Sequence, residues 1–384
     1  MDTAHDQVDP SRVTHYNPRD SPARTASSKD EDERGIMEQL RLGKSDLRVT
    51  RVGMGGIPIQ RLTEAQAIAV VQHCLDRGIN FIDTARGYGT SEKRIGKAIA
   101  GRRDGLILAS KSGARDRAGF LADLDISLKT LNVEHIDLYQ LHNVSSEEDY
   151  QRVMGPGGAL EGALVGRDAG KLRHIGFTSH SPDTAKAAVR SGQFETLMFP
   201  FNVVARELGE ELYPLAVEHD VGFIAMKPFA GGMLDDARLA LRYIAQFPQA
   251  VPIPGIEKSE EMDEILDLLS QPMDVTEADQ AEIERIRTEL GNRFCRRCNY
   301  CQPCPQDVPV STLMIAESVL KRMPLRGFVD FLAGPVERAV TECEKCGECE
   351  ERCPYGLPIL EMMDESISLF RRERARLPAQ DASS

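Results

Sequence analysis

The sequence lacks several features that would place the protein in other classes. No apolar run approaches the roughly 20 residues that cross a bilayer as a helix. The formal net charge is −13, so Lys and Arg are not in excess. Because phosphate contacts depend on clustered cations, this balance argues against a nucleic-acid partner and against binding to an anionic membrane surface. Tryptophan is absent, and no internal repeat is visible.

The N-terminus also lacks the apolar segment of a signal peptide. Residues 1–35 contain few large apolar side chains and many charged ones. Such a segment cannot bury enough apolar surface to offset the entropy lost on folding. We therefore expect residues 1–35 to form a disordered extension, and we expect the protein to be cytoplasmic.

Cysteine is scarce outside one region. Of the nine cysteines, Cys74 stands alone on the apolar face of an amphipathic segment, where core packing is expected. The other eight form two groups, each followed by a proline: Cys295, Cys298, Cys301 and Cys304, then Cys343, Cys346, Cys349 and Cys353. Clustering of this kind in a cytoplasmic protein points to metal binding rather than to disulfides.

The spacing within the groups separates iron–sulfur clusters from zinc. The second group follows the bacterial ferredoxin pattern, with gaps of two, two and three residues and a final Cys-Pro. Zinc sites place two close cysteine pairs a dozen or more residues apart, which neither group does. The sequence therefore predicts 4Fe-4S clusters.

Residues from Phe294 to Ile359 resemble the helical kind of two-cluster 4Fe-4S ferredoxin-type domain. The resemblance implies one cluster on Cys295, Cys298, Cys301 and Cys353, and another on Cys343, Cys346, Cys349 and Cys304. The first group departs from the family pattern, because two residues rather than three precede its last cysteine. Two clusters are expected, and a single cluster is the alternative.

The longer part of the chain alternates short apolar runs with amphipathic stretches. Eight such units lie between Leu40 and Leu269, and they predict a (β/α)8 barrel with the helices outside. A doubly wound open sheet is the alternative. The predicted organisation has a barrel over residues 36–272, a linker helix over 273–293 and a smaller, mainly α-helical 4Fe-4S domain over 294–384. Within the barrel segment, residues 38–47 are expected to form a hairpin that closes the barrel bottom, and 49–54 to form the first strand.

Four polar side chains follow the predicted strands at their C-terminal ends, where active sites of such barrels are built. Asp83 and Tyr88 follow the second run, Lys111 the third and His142 the fourth. Free tyrosine has a pKa of about 10, too high for efficient proton donation at neutral pH, and a nearby ammonium group lowers it. We expect Lys111 to supply that charge, Asp83 to hold Lys111, and His142 to orient a carbonyl oxygen.

Residues from about Leu40 to Leu269 resemble the aldo/keto reductase family. Four segments carry the resemblance: LRLGKSDLRVTRVGMGG, GINFIDTARGYGTSEKRIGKAI, IDLYQLHN and AGKLRHIGFTSHSP. The resemblance implies a (β/α)8 barrel, an NAD(P)H cofactor, and a small carbonyl or alcohol substrate. It also implies that Asp83, Tyr88, Lys111 and His142 form the catalytic tetrad.

The expected nicotinamide contacts depart from the family. Thr178 and Ser179 match the Ser-Asn pair that binds the carboxamide in the family. Met198 stands where a glutamine usually helps, and Met226 stands where an aromatic ring usually stacks. Lys227 replaces the small residue that normally follows. These changes remove a hydrogen bond and a stacking face.

The expected phosphate loop departs less from the family pattern than the nicotinamide contacts do. Pro254 and Gly255 retain its shape, and Lys258 and Ser259 are candidates for contacting phosphate. The family's arginine for a 2′-phosphate is absent, and Glu261 lies nearby. A carboxylate favours a ribose hydroxyl over a phosphate, so the choice between NADH and NADPH stays open.

Three functions remain in competition. The leading one is an iron–sulfur oxidoreductase that couples barrel chemistry to electron transfer through the clusters, with a redox partner protein as a further candidate partner. Nicotinamide moves two electrons as hydride whereas each cluster moves one, and no flavin motif is present to split the pair. The alternatives are a carbonyl reductase with structural clusters and a non-catalytic electron-transfer or binding protein on a barrel scaffold.

Overall fold

The chain begins with a small hairpin at one end of a barrel. The structure, a computed structural model, describes residues 38–234, 236–290, 293–297, 300–321, 323–353 and 355–377. The predicted disordered extension and the predicted ligand Cys298 therefore lie outside the described residues. The hairpin pairs β1 (Gln39–Arg41) with β2 (Arg48–Thr50) in antiparallel fashion.

The hairpin closes the bottom of the barrel. Leu42, Leu47 and Val49 are buried in the apolar cluster that fills the barrel interior. Thr50 N–H donates to the Asn80 side chain at 2.7 Å, just before the second barrel strand. The amphipathic hairpin is thus held by the burial of its apolar face, as the sequence predicted.

Eight parallel strands form the barrel, and their order in space is their order in the chain. They are β3 (Met54–Gly55), β4 (Phe81–Asp83), β5 (Ile107–Ser112), β6 (Ile136–Leu141), β7 (Leu172–Thr178), β8 (Thr196–Pro200), β9 (Gly222–Met226) and β10 (Ala250–Ile253). A parallel bridge between Gly55 and Gly255 brings the two ends of the sheet together. A Cβ on Gly55 would lie 2.9 Å from the Ile253 carbonyl oxygen, so the seam needs glycine there. The predicted barrel is confirmed, and the open-sheet alternative is wrong.

The first predicted strand, residues 49–54, is wrong as a single element. Val49 belongs to β2 of the hairpin, and only Met54 belongs to the barrel. Between them the Thr50 hydroxyl donates to the Val52 carbonyl at 2.8 Å, and this local bond turns the chain. An apolar run cannot reveal such a turn, because both halves are buried.

Nine helices surround the barrel in the described chain. They are α1 (Glu64–Asp76), α2 (Ser91–Ala98), α3 (Arg117–Leu131), α4 (Glu147–Met154), α5 (Ala159–Asp168), α6 (Pro182–Arg190), α7 (Arg206–Glu218), α8 (Ala237–Ala245) and α9 (Ser259–Leu269). The pattern missed α4, whose first turn carries three acidic residues and which buries only Val153. Ser146 caps this helix by accepting from the Asp149 N–H at 3.2 Å.

Helix α1 shows how local sequence fixes an element. Thr63 and Gln66 form a reciprocal capping box at its start. Cys74 is completely buried on its inner face, and burial raises the pKa of that thiol to about 12. The core-packing role predicted for this cysteine is confirmed.

The C-terminal region is helical and has an apolar core of its own. Its helices are α10 (Glu277–Leu290), α11 (Val310–Leu313), α12 (Ala316–Leu320), α13 (Leu325–Glu342), α14 (Glu348–Glu351) and α15 (Ile359–Arg374). Phe328, Leu332 and Phe370 lie at the centre of this core. Helices α11 and α12 are short and separate.

Polar contacts join this region to the barrel. Arg287 donates to the Val203 carbonyl at 2.8 Å, and Tyr300 donates to Asp183 at 2.9 Å. Arg242 of α8 pairs with the buried Asp279 of α10 at 2.7 Å. Among the described residues, no helix is long and apolar enough to cross a membrane.

Candidate functional site

A buried ion pair lies at the C-terminal end of the barrel. Lys111 Nζ donates to Asp83 Oδ1 at 2.5 Å and to the Thr84 carbonyl at 2.7 Å. The Gln140 amide donates to the other Asp83 oxygen at 3.0 Å. These contacts satisfy two charged groups that are 0% and 2% exposed. Neighbouring strands β4 and β5 hold the pair, because Asp83 and Lys111 each lie near a strand end.

The pair is electrostatically strong. Burial works against the Lys111 ammonium, but Asp83 and the Tyr88 hydroxyl outweigh it and raise the pKa of Lys111. Burial raises the pKa of the Asp83 carboxyl, although Lys111 and Gln140 oppose that effect. Lys111 therefore stays an ammonium group at neutral pH, directly beneath the tyrosine.

Tyr88 and His142 complete the predicted set at the same place. Lys111 Nζ lies 4.9 Å from the centroid of the Tyr88 ring. The Tyr88 and His142 rings meet edge to face, with centroids 5.6 Å apart. Burial lowers the pKa of His142 to about 3, and the charges of Lys111, Arg115 and Arg297 add to this. His142 is thus neutral at physiological pH and able to donate a hydrogen bond without carrying charge.

A cleft of about 240 Å3 opens beside these residues. Asp83 and Tyr88 line it, and its walls also include Met198, Met226 and Phe229. The two methionines face the cleft at the positions where the sequence indicated lost nicotinamide contacts. The cleft is thus apolar in part, and charged side chains also line it, namely Arg61, Lys227, Glu257, Glu261 and Lys321.

Lys227 lines the cleft, and a chain of polar contacts holds its side chain. Its ammonium group donates to His180 Nε2 at 2.9 Å. His180 Nδ1 lies 2.9 Å from Asn143 Oδ1, beside the end of β6. Lys227 itself has a left-handed backbone with φ of +56°, and its carbonyl accepts from Asn202 at 3.0 Å. Both ends of the residue are therefore fixed.

Only part of the predicted nucleotide set lines the cleft. Lys227 and Gly255 do so. Thr178 and Ser179 instead bond within the protein: the Thr178 hydroxyl accepts from the Asn143 N–H at 2.7 Å, and Ser179 bonds Thr184 at 2.8 Å.

Of the residues predicted for the phosphate loop, only Gly255 lines the cleft. The Pro254 carbonyl is used in the barrel seam, where it accepts from Gly55 N–H at 2.7 Å. Lys258 and Ser259 lie at the start of α9. Neither belongs to the lining of the cleft, although Glu257 and Glu261 on either side do.

Glu257 was not predicted to line the site, and Glu261 was predicted only to lie near the phosphate loop. One Glu261 oxygen accepts from the N–H groups of Glu257 and Lys258 at 2.7 and 3.1 Å. The N-terminus of α9, which would otherwise attract a phosphate, is therefore occupied by a carboxylate of the protein. Arg61 pairs with Glu257 across the loop. The spacing of Glu261, three residues after the helix cap, is the sequence signal that could have revealed this.

The described cysteines of the C-terminal region fall into two places. Cys304, Cys343, Cys346 and Cys349 line one cavity, together with Cys301. Cys295 lies close enough to Cys353 for their charges to interact. Among the described residues, no three Cys, His, Asp or Glu side chains are arranged to hold a single metal ion.

The geometry defines a parallel barrel with a buried ion pair, a tyrosine and a neutral histidine at the C-terminal end of its strands. The aldo/keto reductase family profile matches residues 51–238. The uncharacterized oxidoreductase YqkF of Bacillus subtilis is 30% identical over 217 residues, which cover 53% of this chain and 68% of that protein. The chain therefore belongs to the aldo/keto reductase family, and it is an oxidoreductase.

Two further relatives agree with this assignment. The aldo-keto reductase YhdN of Bacillus subtilis is 30% identical over 220 residues, which cover 52% of this chain and 64% of that protein. An aldo-keto reductase from Bacillus halodurans, solved in its holo form, superposes with a TM-score of 0.57. That superposition covers 65% of this chain and 96% of the other at 24% identity, so it bears on the fold alone. The cysteine-rich region lies beyond the family match, which ends at residue 238.

Proposed function

We propose that the chain is a nicotinamide-linked oxidoreductase that reduces a small carbonyl compound or oxidises the corresponding alcohol, and that its C-terminal region binds 4Fe-4S clusters. The observation that carries the catalytic part is the buried Asp83–Lys111 pair beneath the Tyr88 ring, with a neutral His142 at its edge. Taking a charged pair out of water seldom stabilises a protein overall, so a buried pair beside a cleft supports a functional role.

Each residue has a distinct role in this proposal. Tyr88 gives a proton to the carbonyl oxygen, and it takes that proton back during alcohol oxidation. Lys111 stabilises the negative charge left on Tyr88, and Asp83 holds Lys111 in place. His142 donates a hydrogen bond that orients the substrate oxygen. Bound nicotinamide supplies or accepts the hydride at the substrate carbon.

The cleft fits a nicotinamide cofactor in part. Gly255 lines it at the barrel seam, where a Cβ would lie 2.5 Å from the Pro58 ring, so the chain needs glycine there. Glu257 and Glu261 line the cleft on either side of the start of α9, beside the expected phosphate loop. Carboxylates favour ribose hydroxyl groups, so we propose NADH rather than NADPH as the preferred cofactor.

The thiols fit iron–sulfur clusters by their chemistry and grouping. Cys304, Cys343, Cys346 and Cys349 line one cavity, and they are the ligand set that the resemblance implies for one cluster. A four-iron cube keeps its ligand sulfurs further apart than one zinc ion does, since zinc–sulfur bonds of about 2.3 Å draw four sulfurs close together. The lack of a single-ion site among the described residues therefore does not conflict with clusters.

The second cluster would use the remaining four cysteines. Cys295 and Cys353 interact, while Cys298 lies outside the described residues. Cys301 lines the cavity of the first cluster as well. One cluster instead of two is therefore the alternative. Clusters carry one electron at a time, so their use in turnover requires a one-electron partner protein or substrate.

An anaerobic nucleotide titration tests the proposal. The protein is purified with its clusters, and NADH or NADPH is added while the visible absorbance is recorded. Bleaching of the cluster absorbance by NADH supports electron transfer between cleft and clusters. Binding without bleaching supports a reductase with structural clusters. If neither nucleotide binds, the nicotinamide proposal is wrong and the barrel is better explained as a scaffold.

A further inference from the structure

Lys321 belongs to the C-terminal region, yet it lines the barrel cleft that contains Tyr88. It directly follows α12 and is the C-cap residue of that short helix. Its ammonium group donates to the Gly232 carbonyl at 3.3 Å, and Gly232 lines the same cleft. This hydrogen bond places a charged group of the C-terminal region at the wall of the barrel cleft.

The loop after β9 is shaped so that α12 can approach it closely. The Phe229 carbonyl accepts from the Gly232 N–H at 2.9 Å, which makes the loop a tight turn. Gly231 and Gly232 have positive φ, at +73° and +89°, in the region that favours glycine. A Cβ on Gly231 would lie 2.8 Å from Ser318 Oγ of α12. The close packing of helix and loop therefore holds Lys321 beside the cleft.

The charged side chains of the cleft are unevenly distributed. Glu257 and Glu261 line it near the start of α9. Arg61 pairs with Glu257, and Glu261 occupies backbone N–H donors at the start of the helix. Lys227 and Lys321 line the cleft beside the loop after β9. The donors at α9 are therefore already used, and an anionic group in the cleft is attracted to the loop after β9 instead.

The carboxylate partner of Lys321 is weakly held. Lys321 pairs with Glu317 at 3.2 Å, and the two side chains are 44% and 60% exposed. An exposed pair one helical turn apart contributes little to stability. Glu317 lines the neighbouring cavity of about 490 Å3 and does not line the cleft. A phosphate oxygen in the cleft can therefore replace Glu317 as the partner of Lys321.

We propose that Lys321 of the C-terminal region binds the diphosphate group of a dinucleotide cofactor in the barrel cleft, so that the cysteine-rich region completes the cofactor site. The inference rests on the proposed function, because it assigns a binding residue to the cofactor of the same site. A lysine is a compact charge with three rotatable N–H donors, and it binds phosphate as a point charge. Lys258 and Ser259, which the sequence indicated for this contact, do not line the cleft. The alternative is that Lys321 only fixes α12 to the loop.

Nucleotide titrations test the proposal without any turnover. The probes are NADH and ADP-ribose, which has the diphosphate but no nicotinamide, and both are titrated calorimetrically under anaerobic conditions into the intact protein with its clusters. Lys321→Met should weaken the binding of both by about tenfold, as expected for the loss of one charge-assisted contact. Lys171→Met is the matched control, because its pair with Asp125 is similarly exposed, at 41% and 57%. It should leave both affinities within about twofold of the wild type.

Glu317→Gln separates phosphate binding from a structural role. This variant keeps Lys321 but removes its carboxylate partner. If Lys321 binds phosphate, NADH should bind at least as tightly as it does to the wild type, because a competitor for the ammonium group is gone. If Lys321 only fixes α12 to the loop, Glu317→Gln should weaken NADH binding as Lys321→Met does, and that result overturns the inference. The difference between the wild type and Lys321→Met should also shrink from about 50 mM to about 500 mM salt, since salt screens charge.

Iron content and circular dichroism show whether each variant is intact. If Lys321→Met loses iron, Lys321→Gln decides instead, since it removes the charge but keeps a donor for the Gly232 carbonyl. Equal NADH affinity in the wild type and the intact variant overturns the inference, even if carbonyl reduction is established. If ADP-ribose binding weakens as expected but NADH reduces no carbonyl compound, the proposed function fails and the assignment of Lys321 stands. If the wild type binds neither NADH nor ADP-ribose, both are wrong.

Discussion

Replacement of Lys111 should show how much the buried ion pair contributes to the free energy of unfolding. In Lys111→Met the side chain keeps its length but loses its charge, and Asp83 keeps only the Gln140 donor at 3.0 Å. Breaking a buried pair by removing one partner costs about 3–5 kcal/mol of unfolding free energy. Lys171 and Asp125 form a pair of similar length, 2.6 Å, on the surface, so Lys171→Met should cost no more than about 1 kcal/mol.

The pH dependence of this cost has a definite sign. Burial raises the pKa of Asp83, and without Lys111 nothing comparable opposes that effect. The folded variant then holds a proton that the unfolded chain releases above about pH 4. Stability is therefore lost as the pH rises from that value toward the folded-state pKa. The cost of Lys111→Met should shrink on acidification, by up to about 1.4 kcal/mol for each pH unit in this range.

Urea unfolding followed by circular dichroism at pH 7.5 and 5.5 measures this cost. The double variant Asp83→Asn/Lys111→Met removes both charges and should be more stable than Lys111→Met by roughly 1–3 kcal/mol. The reasoning is refuted if Lys111→Met loses no more stability than Lys171→Met, or if it loses more at pH 5.5 than at pH 7.5.

Three other outcomes are expected. Tyr88→Phe should lower carbonyl reduction about 10²–10⁴-fold while iron content stays unchanged, and Tyr150→Phe should not; retained turnover would exclude Tyr88 as the proton donor. Because the pKa of His142 is lowered to about 3, kcat/KM should show no ionisation near pH 6.5, and His142→Gln should lower activity without changing the shape of the profile above pH 5. Cys346→Ser should reduce iron from about eight to about four per chain if two clusters bind, whereas a loss from about four to none would indicate one cluster.

Much of the barrel could be predicted from the sequence, because its elements are marked by local patterns. The strand Ile136–Leu141 and the helices Pro182–Arg190 and Ser259–Leu269 lie where the apolar periodicity indicates them. Buried parallel strands read as continuous apolar runs, and amphipathic helices repeat about every 3.6 residues. Helix α4 escaped prediction because it buries a single residue and depends on its cap instead.

The site could be predicted where polar residues with suitable chemistry follow the ends of the predicted strands. Asp83, Tyr88, Lys111 and His142 come together because adjacent parallel strands end at the same rim. The nucleotide contacts were less predictable. Ser179 is consumed by a hydrogen bond to Thr184 at 2.8 Å, and a motif match cannot show that a side chain already has a partner.

The sequence by itself determined the barrel, the four polar residues that meet at its rim and the thiol-rich character of the C-terminal region, since each of these follows from spacing along the chain. Only the tertiary structure decided that Glu261 occupies the start of α9 and that Arg287 of α10 donates to the Val203 carbonyl. Both depend on contacts whose direction in space the chain order does not specify. Arg287 is 84 positions from Val203 in the numbering, and only the docking of one region on the other brings them into contact.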